Sequence, residues 1–120
     1  MAITAGTIKD VLNHVFRNTP MTSPSKVYVG LFTSSGEVNG NAYERQELTF
    51  TEPSGGIIKN AAEVRFAIAT ADWGEVVGAG IFDAETGGKR LDDANIAAAR
   101  IVRENDQFVI PVGNYTIELR

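Results

Sequence analysis

The chain of 120 residues has no cysteine, one histidine, one tryptophan and four prolines. Without cysteine there is no disulfide framework, no thiolate metal site and no thiol nucleophile. With a single imidazole, a zinc centre would have to be built from carboxylates. A Ser-His-Asp set would have to recruit His14, which lies on a helical stretch remote in sequence from every strand turn. There is no basic block either. Eleven Lys plus Arg stand against fifteen Asp plus Glu, a formal charge of −4, and this balance argues against a nucleic-acid groove or a patch for anionic membranes. No apolar run approaches the roughly 20 residues that span a bilayer, and the first residues lack the basic-then-apolar pattern of a signal peptide.

What is present suits one soluble globular domain over residues 1–120: 43% apolar residues, 22% charged residues and twelve glycines in a chain of single-domain length. Ile8, Val11, Leu12, Val15 and Phe16 follow a 3.6-residue period, which predicts an amphipathic helix within residues 1–19. Thr7 is placed as its N-cap, and Asn18-Thr19-Pro20 ends it. Residues 20–25 read as a connector. From Lys26 the period becomes two. Val27, Val29 and Leu31 share one face, Tyr28, Gly30 and Phe32 the other. Both faces are apolar, so this strand is expected to be central, with the helix a candidate cover for one side.

Further alternation at 43–50, 64–68, 75–82, 89–91, 96–102, 108–112 and 115–119 is punctuated by Gly, Asn, Asp and Pro turns. Six or seven short strands of this spacing predict a mainly β fold over 26–120, an antiparallel β-sandwich or flattened barrel, preceded by the one helix. Gly78 and Gly80 alternate on one strand face, so a ring or a backbone is expected to come close there. Asp92-Asp93 is expected to interrupt its strand.

Candidate chemistry is sparse. The glycine pairs 55–56 and 87–88 lead into strands and lack the spacing of a phosphate loop. Asp83, Glu85, Asp92 and Asp93 bracket a hairpin but form no calcium-loop pattern, and a Glu85–Asp92 acid-base pair would need a shared pocket. No catalytic residue, metal or cofactor is expected. Trp73, with Tyr43 and Tyr28, is the candidate platform for stacking on a glycan. Arg45 is a candidate for an ion pair or for stacking on an aromatic ring. The candidate interface residues are Val11, Val15, Tyr28, Tyr43, Arg45 and Trp73.

Several runs carry a resemblance. Lys26-Val27-Tyr28-Val29-Gly30-Leu31-Phe32-Thr33, Tyr43-Glu44-Arg45-Gln46 with Leu48-Thr49-Phe50, Ala69-Thr70-Ala71-Asp72-Trp73-Gly74, and Gly80-Ile81-Phe82-Asp83-Ala84 with Thr86-Gly87-Gly88 occur in that order. Together they resemble a family of small bacteriophage virion proteins, tail-fibre or head-decoration-like. Ala67, where that family tends to have proline, and Asp92-Asp93, where it is more apolar, depart from it. The resemblance implies a non-enzymatic structural part of the virion that docks to capsid or tail protein. Apolar surface in excess of what one small sheet must hide adds the expectation of a homo-oligomer, a trimer.

Overall fold

The structure is a computed structural model and describes residues 2–119. Strand β1 (Ala2–Ile3) is followed directly by α1 (Ala5–Phe16). The helix starts three residues before the position its apolar period suggested. Thr4, not Thr7, is the N-cap, and its hydroxyl accepts from the Thr7 amide at 3.4 Å. Ala5 and Gly6 lie off the apolar stripe and Gly6 is a poor helix former. The free N–H groups of a first turn nevertheless need an acceptor, and Thr4 is the residue anchored to the sheet: its amide donates to the Leu91 carbonyl at 3.0 Å. At the other end Asn18 takes a left-handed conformation (φ 55°), which lets the Arg17 and Thr19 amides both donate to the Asn13 carbonyl.

The main sheet is antiparallel and six-stranded. Strand β2 (Val27–Thr33) is central, as its two apolar faces suggested. On one side it pairs with β7 (Gly74–Phe82), from Tyr28 opposite Phe82 to Phe32 opposite Gly78. Its other side is shared by β3 (Gly36–Glu37) and β4 (Gln46–Leu48). Beyond β7 lies β8 (Arg90–Val102), and β1 pairs with β8 at Asp92 and Asp93. A second layer consists of two ladders, β5 (Ile57–Lys59) with β10 (Thr116–Glu118) and β6 (Val64–Arg65) with β9 (Val109–Ile110). The core lies between the layers. Val29, Leu31, Val76, Ala79 and Ile81 of the large sheet meet Val64, Phe66, Phe108, Ile110 and Tyr115. The fold is therefore mainly β, with antiparallel sheets packed on each other and one N-terminal helix.

Three expectations need correction. First, α1 does not cover β2. It contributes no buried residue and rests against β8; the outer face of β2 is covered by side chains of the sheet's own strands and turns. Second, Asp92-Asp93 does not break the strand, because β8 runs through it. The Asp92 side chain turns inward, 2% exposed, and accepts a hydrogen bond from the Tyr115 hydroxyl at 2.8 Å. Third, alternation along β7 changes phase. Two residue steps on β7 (Val76 to Gly78) face five on β8 (Arg100 back to Asn95). This bulge puts Val76 in the core, whereas Gly78, Gly80 and Phe82 beyond it share the outer face with Phe32, Gly30 and Tyr28.

Candidate functional site

Two surfaces hold the candidate residues. The first is α1. Val11 is half-buried, and Val15 is 60% exposed, with Ile8 at 45%, Leu12 at 50% and Phe16 at 77%. The apolar stripe that would normally be hidden therefore faces outward. The opposite side of the helix is held to the 83–89 turn by the Asp10–Lys89 ion pair. A groove of about 360 Å³ between helix, connector and turn is lined by Thr7, Asp10, Asn13, Met21 and Asp83 among others.

The second is the outer face of the sheet, where Gly30 of β2 stands opposite Gly80 of β7. A Cβ on Gly30 would sit 2.6 Å from Glu37 Oε2 and 3.0 Å from the Tyr43 hydroxyl. One on Gly80 would sit 2.9 Å from Arg90 Nε and 3.2 Å from the Phe32 ring. These two bare positions form a floor on which a ladder of four side chains is laid. The Arg45 guanidinium lies 3.5 Å from the centroid of Phe82. Phe82 stacks on Phe32 at 6.0 Å and 18°, and Arg90 lies 3.9 Å over Phe32. Cations on both outer ring faces suit the negative faces of the two rings. Of the two alternating glycines, Gly80 is approached by the Phe32 ring and Gly78 by the Ala94 carbonyl, 2.9 Å from where a Cβ would sit.

Arg45 joins this ladder to two loops. Its Nε and Nη2 donate to the two carboxylate oxygens of Glu37 at 2.8 Å each, and its Nη1 donates to the Ala84 and Gly87 carbonyls at 3.0 and 2.7 Å. The side chain is 9% exposed, so Arg45 makes both the ion pair and the stacking contact that the sequence allowed. Tyr43 plugs a gap in the backbone ladder. Pairing of β2 with β4 ends at Val29, and pairing with β3 begins at Phe32. Between them the Leu31 amide donates to the Tyr43 hydroxyl at 2.9 Å, and that hydroxyl donates to Glu37 Oε2 at 2.6 Å. Burial works against ionisation of Glu37, but the hydrogen bonds from Arg45 and Tyr43 outweigh it and hold the carboxyl below its usual range. Burial and the bond to Glu37 push the Tyr43 phenol up, and the same carboxylate raises Arg45 further. At neutral pH the trio is thus an ionised pair with a neutral phenol, its donors committed to internal partners. This arrangement braces the fold and offers no group for proton transfer.

Trp73 is 7% exposed. It stands edge-on to Tyr43 at 5.4 Å, and its indole N–H donates to the Asn41 carbonyl at 2.9 Å. The ring proposed as a sugar platform is thus a core residue. Tyr28 is half-buried on the outer face, between Phe82 and Glu47 in register. His14 Nδ1 lies 3.1 Å from the Thr19 carbonyl, next to the helix end. Glu85 is exposed on its turn, whereas Asp92 lies in the core, so the two carboxyls do not share a pocket. Burial pushes the Asp92 pKa up to about 6, against the opposing hydrogen bond from Tyr115. Among the described residues no three His, Asp or Glu side chains gather as a metal ion would require, and no helix is long and apolar enough to cross a membrane. Sequence reasoning missed Glu37, Phe82 and Arg90. The signal that bears on them is the alternating glycines, which announced a close approach without naming what approaches.

Residues 2–118 match the family model described as Podophage GP4 fiber I protein gp80. No curated protein matches the chain. The match covers nearly the whole sequence: the chain belongs to this phage fibre family and is a component of the virion.

Proposed function

We propose that this fibre-family protein is a non-enzymatic building unit of the phage tail, which works by associating with copies of itself and by docking to a neighbouring tail protein. The observation that carries the reading is the outward-facing stripe Ile8, Leu12, Val15 and Phe16 on α1. Exposed apolar patches on small domains mark contact surfaces. The 4-then-3 spacing of Ile8, Leu12 and Val15 is that of a seam between like helices, and fibres are built by repeating such contacts. A non-catalytic role is supported by the committed donors of Arg45 and by the separation of Glu85 from Asp92. The tail side of the reading, rather than the shell, is supported by the family description, which names a fibre.

The assembly expected is a trimer. Light scattering on the purified chain should give three times the 12.9 kDa chain mass. Leu12→Asp combined with Val15→Asp, at positions that stabilise no core, should return it to one chain mass with the β signal in circular dichroism unchanged. A wild type that stays monomeric up to high concentration and binds no particle protein rejects the reading. Copy number from gel densitometry of purified particles checks the placement, with few copies expected for a tail component and hundreds for a shell decoration.

A further inference from the structure

Among the described residues two polar side chains are buried in the core, and they are treated very differently. Asn60 is fully satisfied: its amide donates to the Ala62 and Pro111 carbonyls and its oxygen accepts from the Tyr115 amide. Asp92 is not. Its Oδ2 accepts from the Tyr115 hydroxyl at 2.8 Å, but Oδ1 is buried with no hydrogen-bond partner among the described residues. A carboxylate oxygen left in that state is costly when charged and much less so when the group carries a proton.

Asp92 lies where the N-terminal arm is attached. Its register partner on one side is Ile81 of β7, a nine-residue strand paired with β8 over most of its length. On the other side it is Ile3 of β1, a strand of two residues. Beyond that pairing β1 also lies beside β10, and the arm is held by the Thr4 amide and hydroxyl on the Arg90 and Leu91 carbonyls and by the Asp10–Lys89 pair, while α1 adds no buried residue. The least costly route for water to reach Asp92 is therefore to lift β1. We propose that Asp92 makes the arm, β1 with α1, a proton-controlled latch: closed on β8 while the carboxyl is neutral, released when it is charged.

The groups facing Asp92 are consistent with this. Burial is the largest influence and favours the neutral form, as does Asp93, whereas the Tyr115 hydroxyl and Arg90 favour the charged form. From β7 the register partner is Ile81, with no charge. The balance puts the closed-state pKa at about 6 against an ordinary 3.8. The closed arm thus binds the proton more tightly than the released one, so rising pH favours release. The opening constant should climb by up to about tenfold per pH unit between pH 4 and 6, then level off, roughly a hundredfold in total. This device goes beyond the association proposed above and does not depend on it.

Amide hydrogen exchange on the full chain between pH 4.5 and 7.5, corrected for intrinsic exchange, tests the latch. The Thr4 amide should be at least tenfold less protected than those of Leu31 and Ile81 at each pH, and its protection should fall up to about pH 6 and then flatten. In Asp92→Asn the same amide should show no such fall. Arm protection equal to core protection would mean that the arm leaves only when the whole domain unfolds. That result, a flat wild-type profile, or a fall that persists in Asp92→Asn each overturns the proposal, and the wild-type comparison needs no variant.

Discussion

Replacing Tyr43 by phenylalanine isolates one oxygen atom. The phenyl ring can keep its contacts with Phe66 at 6.1 Å and Trp73 at 5.4 Å, so little packing is lost. The Leu31 amide, however, loses its acceptor in a residue that is 0% exposed. An orphaned buried donor costs about 1–3 kcal/mol. Glu37 also loses its shortest hydrogen bond but keeps two from Arg45, so this second loss falls at the low end of the 1.5–3 kcal/mol typical for bonds to charged groups. Together the change should destabilise the domain by about 2.5–4.5 kcal/mol. Urea unfolding followed by Trp73 fluorescence reads it directly, since that ring is buried against Tyr43. The midpoint should drop with the slope unchanged. A difference below about 0.5 kcal/mol, the scatter of ordinary surface changes, would refute the idea that the hydroxyl completes the ladder between β3 and β4.

Arg45→Lys should cost about 1.5–3 kcal/mol by the same assay, because an ammonium cannot grip both Glu37 oxygens, hold two carbonyls and lie flat on Phe82 at once. Gly30→Ala should cost about 1–3 kcal/mol, since the new methyl meets Glu37 Oε2 at 2.6 Å and that atom is pinned by Tyr43 and Arg45; heat denaturation checks it, and an unchanged midpoint would show that the floor is not tight. Asp92→Asn should stabilise the domain at pH 8 by up to about 3 kcal/mol, the free-energy equivalent of a pKa raised from 3.8 to about 6. The native state holds this proton more tightly than the unfolded one, so the wild type loses stability as pH rises from about 4 to 6, and the gain should vanish near pH 4. Glu37 works in the opposite sense: its lowered pKa stabilises the fold above the unfolded value, and that contribution should disappear as acid titrates through the folded one.

The regular parts of this fold could be read from local pattern, and the site could be read only in part. Val27–Phe32 announced a central strand because both of its faces are apolar, and the stripe on α1 announced a helix because one face is. What alternation cannot report is which residue lies across a gap. That Tyr43 fills the break between β3 and β4 depends on both strands choosing the same side of β2. That Asp92 turns inward depends on Tyr115, 23 residues away. The bulge opposite Val76 defeated a period-two reading, since extra residues on β8 shift the phase of the strand beside it. The apolar stripe of α1 was legible, but a hydrophobic period says that a face wants cover, not that the rest of the chain provides it. The aromatic face of Trp73 suits a sugar platform, but the chemistry of a side chain carries no information about its depth.

Consider, finally, how tension would pass through this unit. A pull on α1 reaches the sheet through two residues of β1, the Thr4 amide and hydroxyl and the Asp10–Lys89 pair, a far shorter set of bonds than the ladder between β7 and β8. The arm would give first. The covalent chain would then pay out residues 17–26, a slack of roughly 30 Å at full extension, before any load fell on Val27. Such a joint behaves as a short elastic tether with a sacrificial clip, and the rigid body behind it is spared.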